Sequence, residues 1–156
     1  MKNYIKHLLS IVVLPTLFLT SSCSKQEFEP YKVPFFHISV DNKSTVEVLS
    51  NRRDAVDYKV YLSAELQFDP IVVQYEVIVG NGLLAGRDFE LITTGTSLNF
   101  PQGIFERPIT IAWKESPVDP AKDNTIKIRL LSNSKNYTMG LPGPDQLQRE
   151  LIITKK

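Results

Sequence analysis

An alternation of apolar and polar residues with a period of two runs through most of this sequence, and it restricts the fold more than any other feature. The alternation is clearest in residues 73–79 (VQYEVIV) and 126–130 (IKIRL). Because successive side chains of a β-strand point to opposite faces, such stretches predict strands with one buried face. No stretch carries the apolar spacing of an amphipathic helix, in which positions i, i+3, i+4 and i+7 share one face. The sequence therefore predicts an all-β fold.

Six further stretches show the same alternation. They are residues 35–40, 45–49, 57–64, 97–100, 107–113 and 147–154. Turn-forming Gly, Pro, Asn and Asp residues separate them, and no helical segment intervenes. About seven or eight short strands in this order predict an antiparallel Greek-key sandwich of the immunoglobulin-like type in residues 35–156. The connections expected to be long are residues 80–94, 114–124 and 133–146.

The first 22 residues have the order of a signal peptide. Lys2 and Lys6 form a short basic start, and residues 8–19 (LLSIVVLPTLFL) form an apolar run. A helix that spans a membrane needs about 20 apolar residues, and this run is shorter. Residues 1–22 are therefore expected to be removed.

The chain has a single cysteine, Cys23, and Ser21 and Ser22 directly precede it. This order resembles the lipobox of Bacteroidetes-type lipoproteins, with Leu19 one place further back than usual. The resemblance implies that lipid attaches to Cys23, that residues 24–34 form a tether, and that the protein is anchored in the outer membrane, exposed at the cell surface. The alternative is a soluble secreted protein with an ordinary cleavage site.

Composition excludes several other classes of protein. Two of the 18 Lys and Arg residues lie in the leader, so the remainder has 16 basic and 17 acidic residues. This balance provides no excess of positive charge for binding nucleic acid. One cysteine excludes an intramolecular disulfide. His37 is the only histidine outside the leader, which excludes a multi-histidine metal site. No motif implies a cofactor.

A family resemblance begins at the strand of residues 73–79. It continues through residues 85–89 (AGRDF), residues 94–103 (TGTSLNFPQG) and the strand of residues 109–113. In this order and spacing, these segments resemble the core of Calx-β domains, with Phe89 in the place of a tyrosine. The resemblance implies a β-sandwich and, in the members that bind calcium, a cation site at one end of it.

Residues of the same region also have physical roles that do not depend on the resemblance. Asp88 is suited to accept hydrogen bonds from loop amides, and Phe89 and Phe100 are suited to fill the core. Gly103 is suited to turn the chain into the next strand.

The stretch of residues 80–85 (GNGLLA) matches the glycine-rich string of dinucleotide-binding proteins and follows a predicted strand. That chemistry also needs a helix whose N-terminus faces the pyrophosphate. Residues 87–100 predict no helix, so nucleotide binding is not expected. Gly80 and Gly82 are expected instead to adopt positive φ in a loop.

Calcium needs about six to eight oxygen ligands, and the sequence does not supply them where the resemblance would place them. Asn81 stands where such domains carry an acid, and Lys114–Glu115 stand where they carry two aspartates. Asp119 and Asp123 remain in the adjoining loop, where the neighbouring prolines favour a role in turns. The sequence therefore predicts no metal site.

Catalysis has no recognisable residue set in the sequence. A catalytic triad would have to use His37, which lies in the first predicted strand without an evident partner. Acidic residues that could act as a pair in glycoside hydrolysis occur, but nothing places two of them in one cleft. We therefore predict that the protein is not an enzyme.

Binding is the remaining class of function, and exposed aromatic side chains are its candidate sites. Tyr61 points away from the inward residues of its strand, whereas Trp113 continues an inward face and is expected in the core. Phe68 and Tyr137 lie in loop-like sequence. These features favour a surface module for capture or uptake of glycans; the alternative is a structural or adhesive subunit that docks a protein partner in the outer envelope.

The variant Cys23→Ser tests the anchor. It should leave the membrane fraction and the detergent phase, or accumulate as an uncleaved precursor, because stable anchoring needs two or more acyl chains at about 0.8 kcal/mol per buried methylene. Detergent phase partitioning of the wild type, Cys23→Ser and the control Ser24→Ala measures the difference. Unchanged membrane association of Cys23→Ser would contradict the lipoprotein interpretation.

Overall fold

The computed structural model describes residues 33–156. The predicted signal peptide, Cys23 and nearly all of the tether lie outside the described residues. Every regular element in the described range is a strand, which confirms the all-β fold class. No helix in that range is long and apolar enough to cross a membrane. Residues Lys32–Lys156 form one compact unit of the chain.

Ten strands are present in the described residues. They are β1 (Phe35–Ile38), β2 (Thr45–Val48), β3 (Ala55–Ser63), β4 (Ile71–Val79), β5 (Phe89–Leu91), β6 (Ser97–Phe100), β7 (Glu106–Trp113), β8 (Thr125–Asn133), β9 (Thr138–Met139) and β10 (Glu150–Lys155). Each of the eight predicted stretches overlaps one strand. The strands β5 and β9 were not predicted, because three and two residues are too few to show an alternation.

The strands form two five-stranded sheets. The first sheet has the order β5–β7–β3–β1–β9, and the second has the order β2–β10–β8–β4–β6. Six strand pairs are antiparallel, whereas the edge pairs β1–β9 and β10–β2 are parallel. The inward side chains of both sheets share one hydrophobic core, so the domain is a β-sandwich. Greek-key connectivity stays a prediction.

Large aromatic side chains join the two sheets in the core. Phe36 of the first sheet meets Phe100 of the second edge to face, with ring centroids 5.1 Å apart. The indole N–H of Trp113 donates a hydrogen bond of 3.0 Å to the hydroxyl of Tyr58, so the polar atoms of both rings are satisfied inside the core. The predicted core positions of Trp113, Phe89 and Phe100 are confirmed.

A two-residue turn carries the chain from the first sheet to the second, between β1 and β2. Val40 and Lys43 exchange both backbone hydrogen bonds, at 3.1 and 2.9 Å. Between them, Asp41 and Asn42 have φ of 50° and 61°. Asp and Asn tolerate this left-handed conformation better than other residues with a Cβ. The turn lets β1 pair with β3 while β2 pairs with β10.

The expectation for Gly80 and Gly82 is wrong. Neither glycine is among those with positive φ, which include Gly103 at 74°. A Cβ at Gly80 would instead overlap the carbonyl of Asp123, and a Cβ at Gly82 would overlap the side chain of Asn124. The glycines are needed because the loop after β4 packs directly against the residues before β8, and Gly82 N–H donates a 2.8 Å hydrogen bond to the Asp123 carbonyl.

Candidate functional site

Asp88, directly before β5, lies in a buried polar cluster. Its side chain has no exposed surface. The carboxylate accepts hydrogen bonds from the Leu84 amide at 2.8 Å, from Arg87 Nε at 2.8 Å and from the Ser116 hydroxyl. The expected role of Asp88, binding a loop amide, is confirmed at Leu84.

Lys155, the last residue of β10, completes this cluster, and its side chain is also fully buried. Its Nζ donates hydrogen bonds to the Lys114 carbonyl at 2.8 Å and to Ser116 Oγ at 2.5 Å, and it lies 3.6 Å from Asp88 Oδ1. Lys155 was not predicted from the sequence to have a special role, although Lys155 occupies an inward position of its strand after Leu151 and Ile153. A lysine on a buried face is the signal that could have found it.

The electrostatics of the cluster favour a structural role. Burial alone would raise the pKa of Asp88, but hydrogen bonds from Arg87, Ser116 and the Leu84 amide lower it to about 2. Burial lowers the pKa of Lys155, and the charge of Asp88 opposes this shift. Asp88 is therefore ionised at neutral pH and unsuited to proton transfer there. The cluster ties the loop before β5, the loop after β7 and the end of β10 together.

Lys114 lies directly after β7, in the region for which the sequence predicts no calcium site. Lys114 Nζ donates a 3.1 Å hydrogen bond to the Gly86 carbonyl and lies 3.3 Å from Glu90 Oε2. Asp119 accepts the Ala121 amide at 3.0 Å, as an acid in a turn does. Within residues 33–156, no three His, Cys, Asp or Glu side chains converge as metal ligands do. The absence of a metal site stays a prediction.

Aromatic side chains share the outward surface of the first sheet. Tyr61 of β3 pairs with His37 of β1 in the sheet register, and their rings stack at 5.2 Å with an angle of 23°. The ring of Phe35, two residues before His37, lies 5.5 Å from the imidazole. The outward orientation predicted for Tyr61 is thereby confirmed. We refer to Phe35, His37 and Tyr61 as the aromatic face.

His37 is the polar member of the aromatic face. Its Nδ1 is buried and has no hydrogen-bond partner among the described residues. Burial lowers the pKa of the imidazole, which favours the neutral ring at physiological pH. No carboxylate of residues 33–156 accepts a hydrogen bond from Nδ1, as one would in a catalytic triad. The neutral ring offers an aromatic surface to a ligand, whereas the buried Nδ1 is out of reach of a ligand hydroxyl group.

A polar groove of about 300 Å³ adjoins the aromatic face. It is lined by His37, Tyr61, Ser39, Asp41 and Asn42. Hydroxyl, carboxylate and amide groups thus lie next to flat ring surfaces. Such a combination suits a ligand with apolar faces and many hydroxyl groups, as in a sugar ring.

The other two aromatic candidates lie elsewhere. The ring of Tyr137 stacks on the core residue Phe36 at 6.3 Å, and its hydroxyl donates a 2.6 Å hydrogen bond to Gln67 Oε1. Tyr137 lies in the loop between β8 and β9, as predicted, and these contacts hold its ring and hydroxyl in place. Phe68 is 72% exposed in the loop between β3 and β4. The structure does not combine Tyr61, Phe68 and Tyr137 into one site.

The outward surface of the second sheet differs in character. Arg129 of β8 pairs with Glu76 of β4 at 3.0 Å and with Glu150 of β10 at 2.7 Å. These charges satisfy one another across three adjacent strands. Of the two outward sheet surfaces, the one that carries the aromatic face is the better candidate for ligand binding.

The chain matches no family model, and no curated protein matches it in sequence.

The variant Lys155→Met tests the buried cluster. It keeps the length of the side chain but leaves the Asp88 carboxylate with one charged partner fewer, so the free energy of unfolding should fall by about 3–5 kcal/mol. The neighbouring Lys156 is exposed and pairs with Glu47, and Lys156→Met should cost less than about 1 kcal/mol. Denaturant unfolding of both variants measures the difference, and equal losses would refute a special role for Lys155.

Calcium should leave the melting temperature unchanged. A ligand present at about 100 times its dissociation constant stabilises a protein by about 2.7 kcal/mol, which thermal unfolding detects easily. Unfolding in millimolar calcium, in millimolar magnesium and in chelator makes the comparison, with magnesium as the control for ionic strength. A rise of several degrees that calcium alone produces and chelator reverses would overturn the prediction.

Proposed function

We propose that this protein is a non-catalytic lipoprotein of the cell envelope that binds glycans through its aromatic face. The observation that carries the proposal is the outward grouping of Phe35, His37 and Tyr61 beside a groove lined by polar side chains. Sugar rings bind proteins by laying their C–H faces on aromatic rings while their hydroxyl groups form hydrogen bonds.

The geometry of the aromatic face suits an extended ligand better than a single small molecule. Its residues lie side by side on adjacent strands, with the Tyr61 ring stacked on that of His37, and the groove beside them is open. A shallow surface of this kind leaves both ends of a bound chain free. A polysaccharide segment could therefore lie across β1 and β3 without the protein having to accommodate the chain ends.

The position at the envelope rests on the N-terminal sequence. The basic start, the apolar run and Cys23 support lipid attachment and export to the outer membrane. Glu27 and Glu29, close after Cys23, support display at the cell surface, since acidic residues there often accompany surface export in Bacteroidetes lipoproteins. A protein held in this way would keep captured glycans near the uptake machinery of the same membrane.

The variant Tyr61→Ala tests the aromatic face. It should weaken glycan binding by on the order of 1 kcal/mol or more, because it removes a stacking ring, and it should leave the fold intact because Tyr61 points away from the core. Tyr61→Phe keeps the ring and should retain most of the binding. Phe68→Ala alters an exposed aromatic residue outside the face and serves as the matched control. A glycan array identifies the ligand, and calorimetry compares the variants.

An array without any bound glycan would refute the proposal. If cross-linking in the native envelope then recovered a protein partner attached near Tyr61, the aromatic face would belong to a structural subunit. Equal losses for Tyr61→Ala and Phe68→Ala would place the glycan elsewhere on the domain.

A further inference from the structure

One end of the sandwich collects the start of the described chain and several loops. This end, which we call the tether end, consists of Val33, Pro34 and residues 64–70, 101–105 and 134–137. Hydrogen bonds join these segments to one another or to their strands: Leu62 N–H to the Phe105 carbonyl (2.8 Å), Tyr137 hydroxyl to Gln67 (2.6 Å) and Thr138 N–H to the Pro34 carbonyl (3.2 Å). The chain therefore enters the domain at the same end as these loops.

The tether end exposes several large apolar side chains. They are Val33, Leu66, Phe68, Ile104 and Phe105. Phe68 has the largest exposed fraction of the described large hydrophobic residues, 72%. At the opposite end, Leu49 and Leu84 are exposed in the loops after β2 and β4, and Ile78 and Val79 are exposed at the end of β4. The phenylalanines among the exposed large hydrophobic residues, Phe68 and Phe105, both lie at the end where the chain enters.

Acidic and basic side chains at the tether end largely pair with one another. Lys135 Nζ lies 2.7 Å from Asp69, and Lys59 Nζ lies 2.6 Å from Glu106 next to the loop that contains Phe105. Glu65, beside Leu66, is the charged residue of the tether end outside these pairs, so the surface around the apolar residues carries little uncompensated charge. Such a surface suits a partner that is apolar and nearly neutral.

We propose that the tether end docks on the surface of the lipid bilayer, with Phe68 inserted among the lipids. This inference rests on the lipid anchor of the proposed function. Val33 lies ten residues after Cys23, so a fully extended tether reaches at most about 35 Å. A short tether gives the docking surface a high effective concentration at the bilayer, so even a weak interaction is populated.

The chemistry of the tether end fits the interface between head groups and acyl chains. Aromatic and aliphatic side chains there gain by leaving water, and segments bound at this interface lie about 5–10 Å into the boundary of head groups and chains. Because the flanking charges are paired, docking needs no anionic lipid and depends little on salt. When the tether end is docked, the strands extend away from the membrane, and the aromatic face remains open to solvent at the side of the domain.

The single cysteine allows a test that does not depend on lipidation in the cell. A chain of residues 23–156, which contains the compact unit, is coupled through Cys23 to a maleimide phospholipid in phosphatidylcholine vesicles whose acyl chains are brominated. Two variants carry a reporter: Phe68→Trp at the tether end and Leu49→Trp, at a residue of similar exposure (67%), at the opposite end. The native Trp113 is buried and gives a common background in both variants.

Emission of the tryptophan at position 68 should shift to the blue and be quenched by the brominated chains, with little change at high salt. Emission of the tryptophan at position 49 should be the same with brominated and unbrominated lipid. Equal emission at position 68 in both lipids, or equal quenching at positions 68 and 49, would overturn the inference. Because the coupling itself supplies the anchor and no glycan is present, neither result depends on lipidation in cells or on glycan binding.

Discussion

The hydrogen bonds and the ion pair of the Lys155 ammonium group are the interactions on which the arrangement of the loops depends most. This group lies in the core at the end of β10, where the Lys114 carbonyl, Ser116 Oγ and the Asp88 carboxylate surround it. Taking two ions out of water costs several kcal/mol for each, and only near-complete hydrogen bonding offsets that cost. The cluster achieves this by drawing its donors and acceptors from three separate segments. Those segments must therefore assemble together, because each leaves a buried polar group unsatisfied without the others.

Strand β10, which carries Lys155, links the polar cluster to the two strands beside it. β10 pairs with β8 on one side and with β2 on the other, so the position of its last residue fixes the edge of the second sheet. The Lys155 amide also donates a 2.9 Å hydrogen bond to the Asn124 carbonyl just before β8. In this way the polar cluster stabilises one end of the sandwich. The ligand candidates lie away from it, on the first sheet and at the other end, where substitutions should affect stability less.

The alternation of the sequence was enough to predict the fold class and eight strands, because burial on one face of a sheet imposes a period of two on any strand of sufficient length. It was also enough to orient Tyr61 outward and Trp113 inward. It could not pair Tyr61 with His37, since that neighbourhood depends on the register of two strands. Likewise, the crowding at Gly80 arises from Asp123, far along the chain, and no local pattern reports it. The loop position of Tyr137 was predicted, but its contact with Phe36 was not, because Phe36 lies about a hundred residues earlier.

The lengths of the outermost strands have a consequence for a protein that is anchored to a membrane surface, as we propose for this one. The edges of the two sheets are β5 and β9 in the first and β2 and β6 in the second, and none is longer than four residues. An unpaired edge is a template on which a neighbouring molecule can add a strand, and the number of hydrogen bonds available sets how strongly it does so. Copies crowded in two dimensions meet one another far more often than copies in solution. Edges this short limit edge-to-edge strand pairing between neighbouring copies. A membrane-anchored form of the protein can therefore reach a high surface density while its copies remain separate.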